Sequence, residues 1–301
     1  MSTLPVIAAV DGSEDSLRAL DWALNTARLR EAPLRVVHVR QYAAWMQPDV
    51  LVAGPPEGAE DAVLDQARTH LDKVPDRPET EFVPLDGSPT PVLPQLGSAA
   101  QLLVLGSRGR GGFASLLLGS NSLAAARDAE CPVVVVPRPG REVHDAPPTA
   151  PGSRVVVGLQ VDSPDDATLD FAFAEAARRG ARLQVVAAYA WPVHVWAAAP
   201  APILPPPIEQ EPIENETRAL TEGFLAPHQS RHPDVTTEPY VAPGDAAGHL
   251  VAASKNADLV VVGRYRRRLL APTRTLGSVS HAVLLHAASP IAVVPPTSGD
   301  E

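Results

Sequence analysis

The chain carries one pattern twice. Val6-Ile-Ala-Ala-Val-Asp11 is answered by Val155-Val-Val-Gly-Leu-Gln160, 149 residues further on. The same spacing aligns Leu20-Asp-Trp-Ala23 with Leu169-Asp-Phe-Ala172, and Leu34-Arg-Val-Val37 with Leu183-Gln-Val-Val186. It then grows to 157, where Ala100–Gly106 meets Ala257–Gly263, and to 158, where Cys131–Pro137 meets Ser289–Pro295. Five blocks in one order mean that whatever one copy folds into, the other must too. The growth places a few extra residues in the middle of the second copy. A length of 301 residues suits two domains of roughly 100–200 residues each. The stretch Arg138–Ser153, RPGREVHDAPPTAPGS, has no apolar period and four prolines, the composition of an extended linker. The expected organisation is therefore a first domain over 1–138, a linker over 139–153 and a second domain over 154–296.

Each copy alternates short apolar runs with helical periods. In the first, Val6–Val10 reads as a strand, and Ser13–Leu29 carries apolar residues at 17, 20, 23, 24 and 27, a helical spacing. Ser13 suits an N-cap, and Glu14 and Asp15 suit the positive end of the helix dipole. Strands follow at Leu34–Val39, Glu81–Leu85, Leu102–Leu105 and Val133–Val136, with helices at Asp61–Leu71, Pro91–Ala100 and Ser120–Ala129. Apolar runs without alternation indicate strands buried on both faces of a parallel sheet. The fold class is α/β, with a doubly wound parallel sheet in each of two tandem copies.

Composition excludes several function classes. The apolar runs are too short or too interrupted to reach the roughly 20 residues of a membrane span, and MSTLPVIAAVDGSEDS lacks the basic start of a secretory signal. The balance of 25 basic against 35 acidic residues, a net −10, speaks against general nucleic-acid binding. A single cysteine, Cys131, forms no internal disulfide and no cysteine-based zinc site. A cytoplasmic setting is the simplest expectation.

The strongest chemical feature follows the fourth strand: Gly106-Ser-Arg108-Gly109-Arg110-Gly-Gly-Phe-Ala-Ser-Leu-Leu-Leu-Gly119-Ser120-Asn121-Ser122. Glycines let backbone approach a ligand, and a helix N-terminus offers free N–H groups to phosphate. Arg108 and Arg110 add charge, and Ser120 and Ser122 add hydroxyls. Ligands of doubly wound sheets sit beyond the carboxyl ends of the strands, at the switch point. The first strand ends at Asp11, whose carboxylate can accept from a ribose hydroxyl or an exocyclic amine, or can serve only as a turn or cap residue. Ser120 can likewise be an N-cap as well as a phosphate contact. The segment is not a P-loop, and no G-x-S-x-G elbow occurs.

Gly106, Gly109 and Gly119-Ser120 match G-x₂-G-x₉-G-[S/T], and this, with Val10-Asp11-Gly-Ser13 and Cys131-Pro-Val-Val-Val-Val136, resembles the universal stress protein family. The resemblance covers both copies and implies a Rossmann-like, adenine nucleotide alpha hydrolase-like fold with five strands in the order 3-2-1-4-5 in each. In ATP-binding members the acid after the first strand and the backbone at the end of the second contact adenosine, positions held here by Asp11 and Val39. The glycine loop with Gly106, Arg108, Gly109 and Gly119, and the segment Ser120-Asn121-Ser122, would hold the phosphates. Magnesium would enter as the nucleotide's counter-ion. Single-domain members commonly pair through the edge strand after the last helix, so the resemblance also implies a pseudo-dimer of the two copies through Val133–Val136 and Ile291–Val294; a homodimer stays open.

The second copy departs from the pattern. Gln160 replaces Asp11, with Asp162 two residues on, and Arg266 replaces the second motif glycine. One working site and one degenerate site are expected. Arg264, Arg266, Arg267 and Arg268 form a basic cluster, either an anion site or a solvated run. His38 lies on a predicted strand and reads as a hydrogen-bonded structural histidine. His281/His286 and His228/His232 do not make metal sites, the latter pair because Pro227 and Pro233 argue against a helix. Pro200–Pro212 reads as a loop. The leading function is a regulatory nucleotide binder, not an enzyme and at most a slow ATPase. The alternatives are a nucleotide-independent scaffold and an adenylating enzyme, although S-G-G-x-D-S and H-x-G-H signatures are absent.

Overall fold

The computed structural model describes residues 3–41, 60–109, 117–143, 151–189, 210–264 and 276–296. The first copy contains β1 (Val6–Ala9), α1 (Glu14–Leu29), β2 (Leu34–Arg40), α2 (Ala62–Leu71), β3 (Thr80–Asp86), α3 (Pro89–Gln95), β4 (Leu102–Gly106), α4 (Ser120–Asp128) and β5 (Val133–Val136). The second contains β6 (Arg154–Leu159), α5 (Asp166–Arg179), β7 (Arg182–Tyr189), α6 (Gln210–Arg231), β8 (Thr237–Pro243), α7 (Ala246–Ser254), β9 (Leu259–Gly263), α8 (Ser278–His286) and β10 (Ile291–Val294). Ser13 caps α1, its hydroxyl accepting from the Ser16 N–H at 3.2 Å.

Successive side chains of a strand face opposite sides of the sheet, and here both sides are apolar. Val6 and Ala8 of β1 enter the layer containing α1, whereas Ile7 enters the layer containing α4. The order within each copy is 3-2-1-4-5, but the two sheets are one. The ten strands run β3-β2-β1-β4-β5-β10-β9-β6-β7-β8. At the centre β5 and β10 are antiparallel, pairing Val135 with Ile291 and Val133 with Val293. The expected pairing of the two copies through Val133–Val136 and Ile291–Val294 thus joins two parallel five-stranded halves into one mixed sheet. Fully buried all-apolar strands such as β5 cannot be left as open edges. The true edges, β3 and β8, carry Pro84 and Pro239, which block further pairing.

The extra residues of the second copy lie between β7 and β8. That connection runs over 190–236 against 41–79 in the first copy, 47 residues against 39. Its described part includes α6, which begins at Gln210, so Pro212 lies in the first helical turn and not in a loop; 200–209 lie outside the described residues. Proline is tolerated there because the first N–H groups of a helix have no internal partner. His228 also lies in α6, despite Pro227. It is buried, pairs with Asp170 at 2.9 Å and stacks on Phe173 at 5.5 Å.

Arg264 corrects the basic-cluster expectation. It is 8% exposed, and Nη1 donates to the carbonyls of Arg127 and Ala129, both at 2.7 Å, at the C-terminal end of α4. Orphan carbonyls and the negative dipole end seat a cation well. Arg266, Arg267 and Arg268 lie outside the described residues, as does Arg110.

Candidate functional site

A cavity of about 580 Å³ opens where β1, β2 and β4 end and α4 begins. β1 brings Ala9, Val10 and Asp11; β2 brings Val37, His38, Val39 and, just beyond, Gln41. β4 and the residues after it bring Leu105, Gly106, Arg108 and Gly109, and α4 brings Gly119, Ser120, Asn121 and Ser122. Asp11, Val39 and the described residues of the glycine loop and of the start of α4 that were named from the sequence therefore line one cavity. Sequence reasoning missed Ser16, Val63, Pro89, Leu93, His38 and Gln41. The α3 and α2 residues carry no motif; only the fold brings them there.

The adjacent ends of β1 and β2 make the cavity mouth. Their ladder closes with the Val10 N–H donating to the Val37 carbonyl at 2.8 Å, so Val39 extends past it. Asp11 Oδ1 accepts from the Ser13 N–H at 3.0 Å and from the Ser13 hydroxyl at 2.6 Å. This Asx turn fixes the carboxylate, and Oδ2 faces Gly109, where an added Cβ would collide with it. A Cβ on Gly106 would stand 2.8 Å from the Asp15 backbone. Gly119 differs: its φ is −78° and an added Cβ would meet Ser107 O at 3.5 Å, an ordinary contact.

α4 starts at Gly119 with no side-chain cap. The N–H groups of its first turn are those a helix leaves without internal partners, and they lie at the cavity. Ser122 corrects one detail: its hydroxyl donates to the Gly106 carbonyl at 2.7 Å, so its proton is committed to the end of β4. Asn121 Oδ1 accepts from the Thr90 hydroxyl at 2.8 Å. His38 is hydrogen-bonded as expected, with Nδ1 2.8 Å from Asp61 Oδ2, yet it also borders the cavity. Burial pushes the Asp61 carboxyl up, but the bonds from His38, Leu64 and Val63 outweigh it and hold its pKa below the ordinary value. Burial pushes the Cys131 thiol up to about 12, which leaves it inert as a nucleophile.

The universal stress protein family matches this chain twice, over residues 4–137 and 153–295. The chain belongs to the universal stress protein family. Two universal stress proteins of Mycobacterium tuberculosis are each 33% identical to it, one covering 96% of this chain and 96% of the relative, the other 97% and 96%. The crystal structure of a universal stress protein from Archaeoglobus fulgidus shares the fold, with a TM-score of 0.60 at 17% identity, covering 97% of this chain and 98% of that one.

In this universal stress protein the second copy has a different corner at the equivalent place. Gln160 and Asp162 are both exposed. The acid beside Gly263 is Asp165, whose Oδ2 would lie 3.3 Å from an added Cβ and which accepts from the Thr168 hydroxyl. Ser280 donates to the Gly263 carbonyl at 2.8 Å, as Ser122 does to Gly106. Among the described residues no group of three or more His, Cys, Asp or Glu side chains is placed to hold a metal, and no helix is long and apolar enough to cross a membrane.

Proposed function

We propose that the first copy binds an adenine nucleotide, ATP in particular, at the ends of β1, β2 and β4, and that the protein is a cytoplasmic regulator of the stress type with little or no turnover. The observation that carries this reading is the N-terminus of α4. It enters the cavity without a side-chain cap, behind a glycine that no contact among the described residues requires. Close approach of a phosphate supplies the reason for that glycine. Asp11, held by Ser13 at the other side, suits ribose hydroxyls, and the apolar wall of Val37, Val39 and Leu93 suits a base. The cavity volume falls within the usual range of roughly 300–1,000 Å³ for small-ligand sites. Magnesium would travel with the phosphates.

Binding without fast chemistry follows from how the polar groups are used. Asp11 accepts two hydrogen bonds from Ser13, so its carboxylate is not poised as a general base. In the second copy the loss of the Asp11 carboxylate and the arginine at position 266 favour an empty site.

Isothermal titration of the purified chain with ATP, ADP, AMP and GTP tests the reading, together with mass spectrometry of small molecules released on denaturation. The expected result is about one adenine nucleotide per chain and weaker GTP binding. An empty supernatant with no heat and no thermal shift overturns it in favour of a scaffold, and rapid release of pyrophosphate or phosphate overturns it in favour of an enzyme.

A further inference from the structure

We infer that Arg141 is a positioning residue for the phosphate end of this site, and that the second copy serves as a brace for it. The inference rests on the nucleotide reading above. Arg141 belongs to the connection between the copies, yet its guanidinium touches both. Nη2 donates to the Leu117 carbonyl at 2.8 Å, in the arm of the glycine loop that leads into α4. Nη1 donates to the carbonyls of Ala287 at 2.9 Å and Leu284 at 3.2 Å, at the C-terminal end of α8.

The two sides of this contact have different roles. The last carbonyls of α8 lack helical partners and carry the negative end of its dipole, so they form a fixed seat for a cation. The planar fork of arginine then presents its other nitrogen at a set distance and angle. Leu117 stands two residues before Gly119, whose own N–H donates to the Ser107 carbonyl at 2.7 Å. The short arm is thus pinned at Leu117 and at Gly119, and the first N–H groups of α4 follow directly.

The far end of α4 is held from the second copy as well, by Arg264 on Arg127 and Ala129. The helix that would meet the phosphates is therefore clamped at both ends by contacts between the copies. Binding that needs no ordering of its donors loses less entropy. The surroundings agree: burial is the main cause lowering the Arg141 pKa, followed by repulsion from Arg108, with Asp15 opposing.

The test compares Arg141→Ala and Arg141→Lys with the unaltered chain in titrations with adenosine, AMP, ADP and ATP. A residue that positions the phosphate loop should weaken ATP by about tenfold or more and adenosine by less than about twofold, with lysine recovering part of the loss. Backbone hydrogen exchange in the ligand-free Arg141→Lys protein adds a second readout, in which the amides of 118–122 should exchange faster while those of β1 and β4 do not. Equal losses for all four ligands, or unchanged ATP affinity with unchanged exchange, overturn the inference and leave the nucleotide site standing. No binding of any of the four by the unaltered chain overturns both.

Discussion

Arg30 of the first copy lies 2.8 Å from Glu175 of the second, joining α1 to α5 through a carboxylate that is 1% exposed. Arg179, 149 residues after Arg30 and at the equivalent position, grips the other oxygen of the same carboxylate at 3.0 Å. The ring contacts follow the same exchange: Arg30 lies over Phe171 at 5.5 Å, and Arg179 over Trp22 at 5.1 Å. Trp22 and Phe171 are themselves equivalent. This reciprocity is what an isologous interface requires. It breaks at Glu175, whose equivalent in the first copy is Thr26.

Replacing that one acid should therefore be costly. Glu175→Gln leaves buried arginines without their counter-charge, and loss of one partner of a buried pair costs about 3–5 kcal/mol. Urea unfolding should show the midpoint fall by a corresponding amount. A loss below about 1 kcal/mol would mean that the contact behaves as an exposed ion pair.

The same carboxylate sets a direction for acid sensitivity. Burial pushes the Glu175 pKa up, but Arg30, Arg179 and Arg178 outweigh it and hold it below its ordinary 4.5. A group with a lowered folded pKa contributes stability that is present above its unfolded pKa and is lost as pH falls through the folded value. Stability should therefore fall below about pH 4.5, and the fall should be shallower in Glu175→Gln, as read from unfolding midpoints across pH.

The site glycines should separate by cause. Gly109→Ala drives a Cβ into Asp11 Oδ2 and should displace the carboxylate, whereas Gly119→Ala meets only ordinary contacts among the described residues. Both should weaken ATP by about tenfold or more, but only a ligand-facing role explains a loss at Gly119. Titration beside thermal unfolding checks this; full affinity in Gly119→Ala would remove the close approach of phosphate from the argument.

The two serines of α4 should also divide. Ser122→Ala strips the Gly106 carbonyl of its donor in a buried setting, a change worth about 1–3 kcal/mol in stability. Ser120 is exposed at the helix start, so Ser120→Ala should leave the unfolding midpoint nearly unchanged and lower nucleotide affinity. The opposite pattern would reverse the roles assigned to them.

Much of this was legible in the chain before it was folded. β5 and β10 coincide with Val133–Val136 and Ile291–Val294 because four consecutive apolar, mostly β-branched residues have few alternatives. The convergence of Asp11, Val39 and the glycine loop on one cavity also follows from local order, since a doubly wound sheet brings its strand ends together. His38 was half legible: a hydrogen bond was expected, its place at the cavity was not, because Asp61, brought in from the start of α2, decides which way the ring lies.

What the sequence determined by itself was repetition and period: two copies, their strands, and a glycine loop between a strand and a helix. Those are local properties, set by residue spacing and backbone preference. The tertiary structure alone decided the antiparallel register in which β5 meets β10 and what the arginines of the two copies do. Arg264 read as part of a basic run and proved to cap α4, while Arg141 read as linker and proved to join α8 to Leu117. The physical reason is that a long, flexible guanidinium takes its role from whichever carbonyls lie within its reach. In this chain those carbonyls stand between 24 and 146 residues away along the sequence.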